Sequence, residues 1–127
     1  SGNPLAMAAG LSAIRQLKDE DKHSKLVEAT EYLCSEVMKA AKEAKVALQM
    51  PHTCSMFGLY FTEETVNNFD EAVNSKTENF VKLFNYCLTH GVYLPPSAFE
   101  TCFLSTAHTP EILEKAVSVI CEGIRNL

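Results

Sequence analysis

The stretch HGVYLPPSAFETCFLSTAHT, residues 90–109, decides the fold. It contains two short apolar runs, GVYLP (91–95) and CFLSTA (102–107), each bounded by turn-forming residues. Runs of that length between turn signals predict strands rather than helices. Pro95 and Pro96 stiffen the chain between them and have no N–H to give to a ladder. Ser97, Glu100 and Thr101 therefore fall on a loop held between two rigid flanks, a usual way of presenting polar groups for binding. The alternative is a plain surface turn with a solvated glutamate, the ordinary fate of loop carboxylates.

Both sides of this stretch read as helix. Upstream, Phe80, Leu83, Phe84, Cys87 and Leu88 form an apolar stripe of helical period. Ser75 and Glu78 fit a capping box at its start, and Gly91 is placed to stop it. Downstream, Thr109-Pro110 opens a helix lined by Leu113, Ala116, Val117, Ile120 and Ile124. Further back, CSMFGLYFT (54–62) reads as a strand buried on both faces, with Gly58 marking a close backbone approach or a bulge. VALQM (46–50) is a short extended piece before it, closed by Pro51. Residues 22–45 place Leu26, Thr30, Leu33, Val37, Ala41 and Ala44 on one helical face, with Lys39, Lys42, Glu43 and Lys45 on the wet side. The first helix, PLAMAAGLSAIRQL (4–17), starts at an Asn3 cap with Pro4 at its first position. It is apolar nearly all the way round, which predicts burial against something large.

The order helix, helix, strand, helix, strand, strand, helix predicts an α+β fold. The expected architecture is a small, mainly antiparallel sheet of about three strands with helices packed on one face, preceded by a long linking helix. The 127 residues, 46% of them hydrophobic and 21% charged, suit one domain with a real core. A net charge of −5 without a basic cluster argues against nucleic acid as a partner. No apolar run approaches the roughly 20 residues that span a bilayer, so no membrane role is expected.

The remaining chemistry-bearing residues read mostly as structural. The five cysteines have neither CxxC pairs nor regular spacing, and are expected to be reduced, mostly buried and cytosolic. The four histidines are scattered, so no metal site is expected. His108 reads as a structural histidine and Met56 and Phe57 as core. No lysine shows the desolvated or cationic setting that a Schiff-base lysine requires.

Three stretches carry a family likeness. SGNPLAMAAG (1–10) resembles the start of the helix that leads into the small domain of class III pyridoxal-phosphate-dependent aminotransferases. SMFGLYFT (55–62) and GVYLPPSAFETCFLSTAHT (91–109) narrow the resemblance to the glutamate-1-semialdehyde 2,1-aminomutase family, and the likeness runs from Ser1 to Leu127. It implies a single C-terminal domain over 1–127, with 1–18 as the linking helix from a large domain and 19–127 as the small α+β domain of a fold type I enzyme.

The resemblance further implies a parent isomerase that makes 5-aminolevulinate from glutamate 1-semialdehyde, early in tetrapyrrole synthesis. Its cofactor would be pyridoxal or pyridoxamine 5'-phosphate, and its Schiff-base lysine would lie upstream of this segment. The 127 residues alone are then expected to bind no cofactor and to be inactive. Expected partners are the large domain of the same enzyme, a second subunit in a homodimer, and a small-molecule substrate. The expected location is the cytoplasm, or the plastid in a plant. Glu100 matches the glutamate of the family's FE motif, which reaches toward the substrate amino groups and cofactor. Ser97 matches the loop serine. Ser1, Gly2 and Asn3 would lie near the cofactor phosphate and the subunit interface. Ala98, Thr101-Cys102 and Cys54 depart from the family's residues. The rival readings are another class III aminotransferase, of the ω-amino acid type, and a stand-alone, non-enzymatic binding or interaction domain.

Overall fold

The structure, a computed structural model, describes residues 2–18 and 20–127; the expectation placed on Ser1 lies outside the described residues. Asn3 starts the first helix, α1 (Pro4–Leu17), as its sequence predicts: Oδ1 accepts from the backbone N–H of Leu5 at 2.9 Å and of Ala6 at 3.4 Å. Yet α1 has no buried residue, and Leu5, Met7, Leu11, Ile14 and Leu17 are all exposed, Leu5 to 79%. Within the described residues nothing covers the apolar surface of this helix.

The second helix, α2 (Glu20–Glu43), buries Thr30, Leu33, Cys34, Val37, Ala40 and Ala41. Thr30 is fully buried because its hydroxyl donates to the Leu26 carbonyl at 2.9 Å, so no polar atom is stranded. The helix ends with Lys45 in the left-handed region (φ +57°) and the Val46 N–H donating to the Ala41 carbonyl at 2.9 Å. That is a Schellman ending, here made without glycine.

The sheet follows. Strand β1 (His52–Thr53) turns through Cys54-Ser55 into β2 (Met56–Phe57), and β2 pairs on its other edge with β3 (Cys102–Phe103), all antiparallel. Cys54 takes φ +50° at this turn, a conformation that favours glycine. The same register continues outward: Gly58 N–H donates to the Pro51 carbonyl at 2.9 Å, and Gln49 and Tyr60 exchange backbone bonds at 2.8 and 3.0 Å. Pro51 interrupts the ladder because it has no N–H, so only two-residue strands remain on either side of the turn. Across the sheet, Phe57 and Cys102 point into the core, while Thr53, Met56 and Phe103 lie on the open face.

The short helix α3 (Phe69–Val73) and the longer α4 (Thr77–Thr89) lead back to β3, and α5 (Pro110–Arg125) closes the chain. The Thr109 hydroxyl caps α5 by accepting from the Ile112 N–H, and Leu113, Val117, Ile120, Cys121 and Ile124 are buried, chiefly against α2 and then α4. Gly123 lets α5 approach α4: a Cβ there would stand 2.7 Å from Leu83 Cδ1 and 2.9 Å from Tyr86 Cδ1. Helices thus cover one face of a three-stranded antiparallel sheet, the α+β arrangement the sequence predicts.

Four details differ from the sequence reading. Met56, read as core, is exposed on the open face of the sheet, so β2 is buried on one face only. GVYLP is not a strand. Leu94 is buried but Tyr93 is 72% exposed, and neither neighbouring edge pairs with the segment. The third strand is instead the hairpin arm before Cys54. The Ser75–Glu78 capping box does not form: α4 begins after Lys76 with no side-chain cap, and Ser75 is buried while its N–H donates to the Ala72 carbonyl. Leu88, placed in the core stripe, is exposed. Gly91 ends α4 as expected, at φ +82°.

Candidate functional site

The Ser97–Thr101 loop leaves the two prolines and enters β3 within five residues. Ser97 organises it: its Oγ accepts from the Phe99 N–H at 3.2 Å, and its carbonyl accepts from the Glu100 N–H at 3.2 Å. The Ala98 methyl is buried, while Phe99 and Glu100 are exposed. The Glu100 carboxylate makes no ion pair with another described residue. A carboxylate so presented, with its backbone fixed and its head in solvent, can accept hydrogen bonds from an ammonium or amide brought to it.

Two shallow grooves flank this loop and share Pro51 and Tyr60. One, about 330 Å³, runs over Thr53, Met56 and Gly58 to Thr101. The other, about 300 Å³, lies between Val66–Phe69, Ala72 and Phe99. Under the loop, burial pushes the Cys102 thiol up to about 12, with smaller contributions from Cys34 and Glu100. Cys34 and Cys87 are held up at about 11 by burial alone. These three sulfurs are apolar core at neutral pH rather than nucleophiles. All five cysteines are free, and four are buried.

The other expected site residues lie apart from this loop. Gly2 is exposed, the Asn3 side chain is engaged in capping α1, and among the described residues no hydrogen bond joins either to Ser97 or Glu100. His108 is tied into its own turn: Nδ1 accepts from the Ser105 N–H at 3.0 Å and lies 3.1 Å from Ser105 Oγ. It borders a cleft of about 570 Å³ with Tyr32, Leu26 and Leu113, a structural histidine at a surface cleft. Among the described residues no group of three or more His, Cys, Asp or Glu is arranged to hold a metal. None of their helices is long and apolar enough to cross a membrane.

A covalent anchor for pyridoxal phosphate is not found among the lysines as they stand in this structure. Eight of the nine lysines are exposed and Lys22 is half-buried, so none occupies the enclosed setting a covalent anchor needs. The sequence reading missed an aromatic pair beside the loop, Phe69 and Phe99, whose ring centroids are 5.9 Å apart at 62°. A signal was available in Asn68 and Glu71, an N-cap residue followed three positions later by glutamate.

The fold is that of the C-terminal domain of pyridoxal-phosphate-dependent transaminases and aminomutases. The structure superposes with a TM-score of 0.83 on an omega-transaminase from Sphaerobacter thermophilus, at 24% identity, over 97% of this chain and 28% of that one. A glutamate-1-semialdehyde-aminomutase from Pseudomonas aeruginosa PAO1 gives the same TM-score at 19% identity, over 96% of this chain and 27% of the other. No protein-family model matches the chain.

By sequence the whole chain is similar to the C-terminal part of glutamate-1-semialdehyde 2,1-aminomutases. It is 39% identical over all 127 residues to the enzyme of that name from Opitutus terrae. It is 35% identical over the same length to that from Roseiflexus castenholzii. The chain spans about 30% of the length of these curated relatives.

Proposed function

We propose that this chain is the C-terminal part of a pyridoxal-phosphate-dependent aminomutase that converts glutamate 1-semialdehyde to 5-aminolevulinate, with the cofactor anchored in a preceding large domain. The observation that carries this reading is the similarity of the whole chain, 39% identical over 127 residues, to 30% of an enzyme named for that reaction. In this reading residues 1–18 link to the large domain and 19–127 form the small domain. The apolar circumference of α1 supports it, because such a helix needs a covering surface.

The cofactor would supply the electron sink and the amino group. The part proposed for this chain is on the substrate side. Glu100 accepts hydrogen bonds from a substrate or intermediate amine and keeps it oriented, its negative charge favouring the ammonium form. Ser97 shapes the turn that presents it, and Gly2 and Asn3, following Ser1, lie near the cofactor phosphate at the interface of a homodimer.

The test joins this chain to the N-terminal part of the Opitutus terrae relative, in place of the matching segment, and measures aminolevulinate formation. The joined enzyme, loaded with cofactor as its absorbance reports, is expected to be active, and Glu100→Gln to lower kcat about ten-fold or more. The 127-residue chain alone is expected to form no product. Transfer of the amino group to a 2-oxo acid without isomerisation would instead favour an ω-amino acid transaminase, the reading suggested by the likeness to the Sphaerobacter thermophilus structure. A cofactor-loaded, folded chimera with neither activity would leave a binding or interaction domain.

A further inference from the structure

We propose that Phe69 is a positioning residue for Glu100, acting through the ring of Phe99; the proposal rests on the reading of Glu100 as a substrate contact. The Ser97–Glu100 turn is closed by two hydrogen bonds, but both are internal to it and neither ties it to another element. Its outside anchors are the buried Ala98 methyl and the Phe99 ring, which meets the edge of Phe69 on α3. Ala98 fixes where the turn sits. The edge-to-face contact, an orientation-sensitive one, fixes how the turn is rotated at the residue next to Glu100.

The build of α3 fits this task better than it fits core formation. Among its five residues only Ala72 is buried, and Phe69 is 67% exposed. Its start is nonetheless bound reciprocally. Asn68 Oδ1 accepts from the Glu71 N–H at 3.0 Å, and Glu71 Oε2 accepts from the Asn67 N–H at 2.7 Å and from Asn67 Nδ2 at 3.3 Å. Such a cap holds the first turn of a helix in one geometry, and the first residue of that turn is Phe69. A chain of fixed contacts thus runs from the Asn67–Glu71 cap through Phe69 and Phe99 to the backbone of Glu100. A group that must meet an amine within about 0.5 Å of its productive geometry needs support of this kind.

Two readouts test it. In the 127-residue chain, backbone relaxation of residues 98–100 is expected to show a mobile turn in Phe69→Ala and in Phe69→Leu, and an ordered one in Phe69→Tyr, which keeps the ring. The melting temperature should move by less than about 3 °C in all three, because the side chain is mostly exposed. In the active chimera, Phe69→Ala is expected to lower kcat about five- to ten-fold with KM changed less than about two-fold, and to have no further effect in a Glu100→Gln background. An ordered turn in Phe69→Ala overturns the positioning role, whatever Glu100 does. Losses that multiply in the double variant overturn it too, since Phe69 would then act independently of Glu100. If the turn loosens while Glu100→Gln is fully active, it is the Glu100 assignment that fails, and the proposal with it.

Discussion

Helices α1 and α5 begin alike and end in opposite circumstances. Each opens with a side-chain cap followed by proline, Asn3-Pro4 and Thr109-Pro110, and each runs for about four turns. Yet α5 buries six residues and α1 buries none. Local sequence decides that a helix forms and where it starts; whether it is paid in stability depends on a surface to meet. The apolar residues of α5 occupy one side and find α2 and α4. Those of α1 surround the helix and meet no other surface among the described residues.

Paired substitutions can break this contrast. Ile124 is fully buried, and Ile124→Ala should cost about 3 kcal/mol in urea unfolding of the chain, whereas Leu11→Ala in α1 should cost less than about 0.5 kcal/mol. Equal costs would mean that α1 is packed in solution. The glycines come next. Gly123→Ala pushes a methyl group toward Leu83 and Tyr86 and should destabilise by about 1–2 kcal/mol even though alanine is the better helix former. At Gly10 nothing lies within 4 Å, so Gly10→Ala should raise the helical circular dichroism signal without moving the unfolding midpoint.

The caps give a smaller effect in the same direction. Thr109→Ala should cost about 1 kcal/mol of global stability, while Asn3→Ala should fray only the start of α1. The smallest effect is local and depends on pH. The Asn67 backbone N–H, ahead of opposing desolvation and aided by Asn68 and the Asn67 side chain, holds the Glu71 carboxyl below its ordinary value. The stability this adds is present above the unfolded glutamate value near 4.3 and is lost as pH falls through the lower folded one. The Asn67 amide resonance should follow that titration, and Glu71→Gln should abolish it.

What the sequence made legible follows the same division. The stripes of α2, α4 and α5 were readable because their partners lie within the chain, so period and burial agree at Leu33, Val37, Leu83, Val117 and Ile120. GVYLP misled because short apolar runs look alike whether they pair or merely cross the surface; here buried Leu94, between exposed Tyr93 and half-buried Pro95, had no edge to join. The Ser75 box misled because a nearer helix, α3, already used the chain before it, leaving Ser75 bonded backward to Ala72. The strand before Cys54 was hidden by Pro51, which shortened it to two residues. At the site, Glu100 stood out as a polar residue between rigid flanks, while the Phe69–Phe99 pair joins residues thirty positions apart and has no periodic signature.

The turn between β1 and β2 has a practical consequence. Its left-handed position holds Cys54, the one exposed thiol among five, on the rim of the open sheet face near Met56 and Phe103. A maleimide spin label or fluorophore would therefore attach at a single defined address, with no cysteine removed beforehand. From there it would report, as a distance or a quenching signal, the arrival of any body that settles on that side of the sheet.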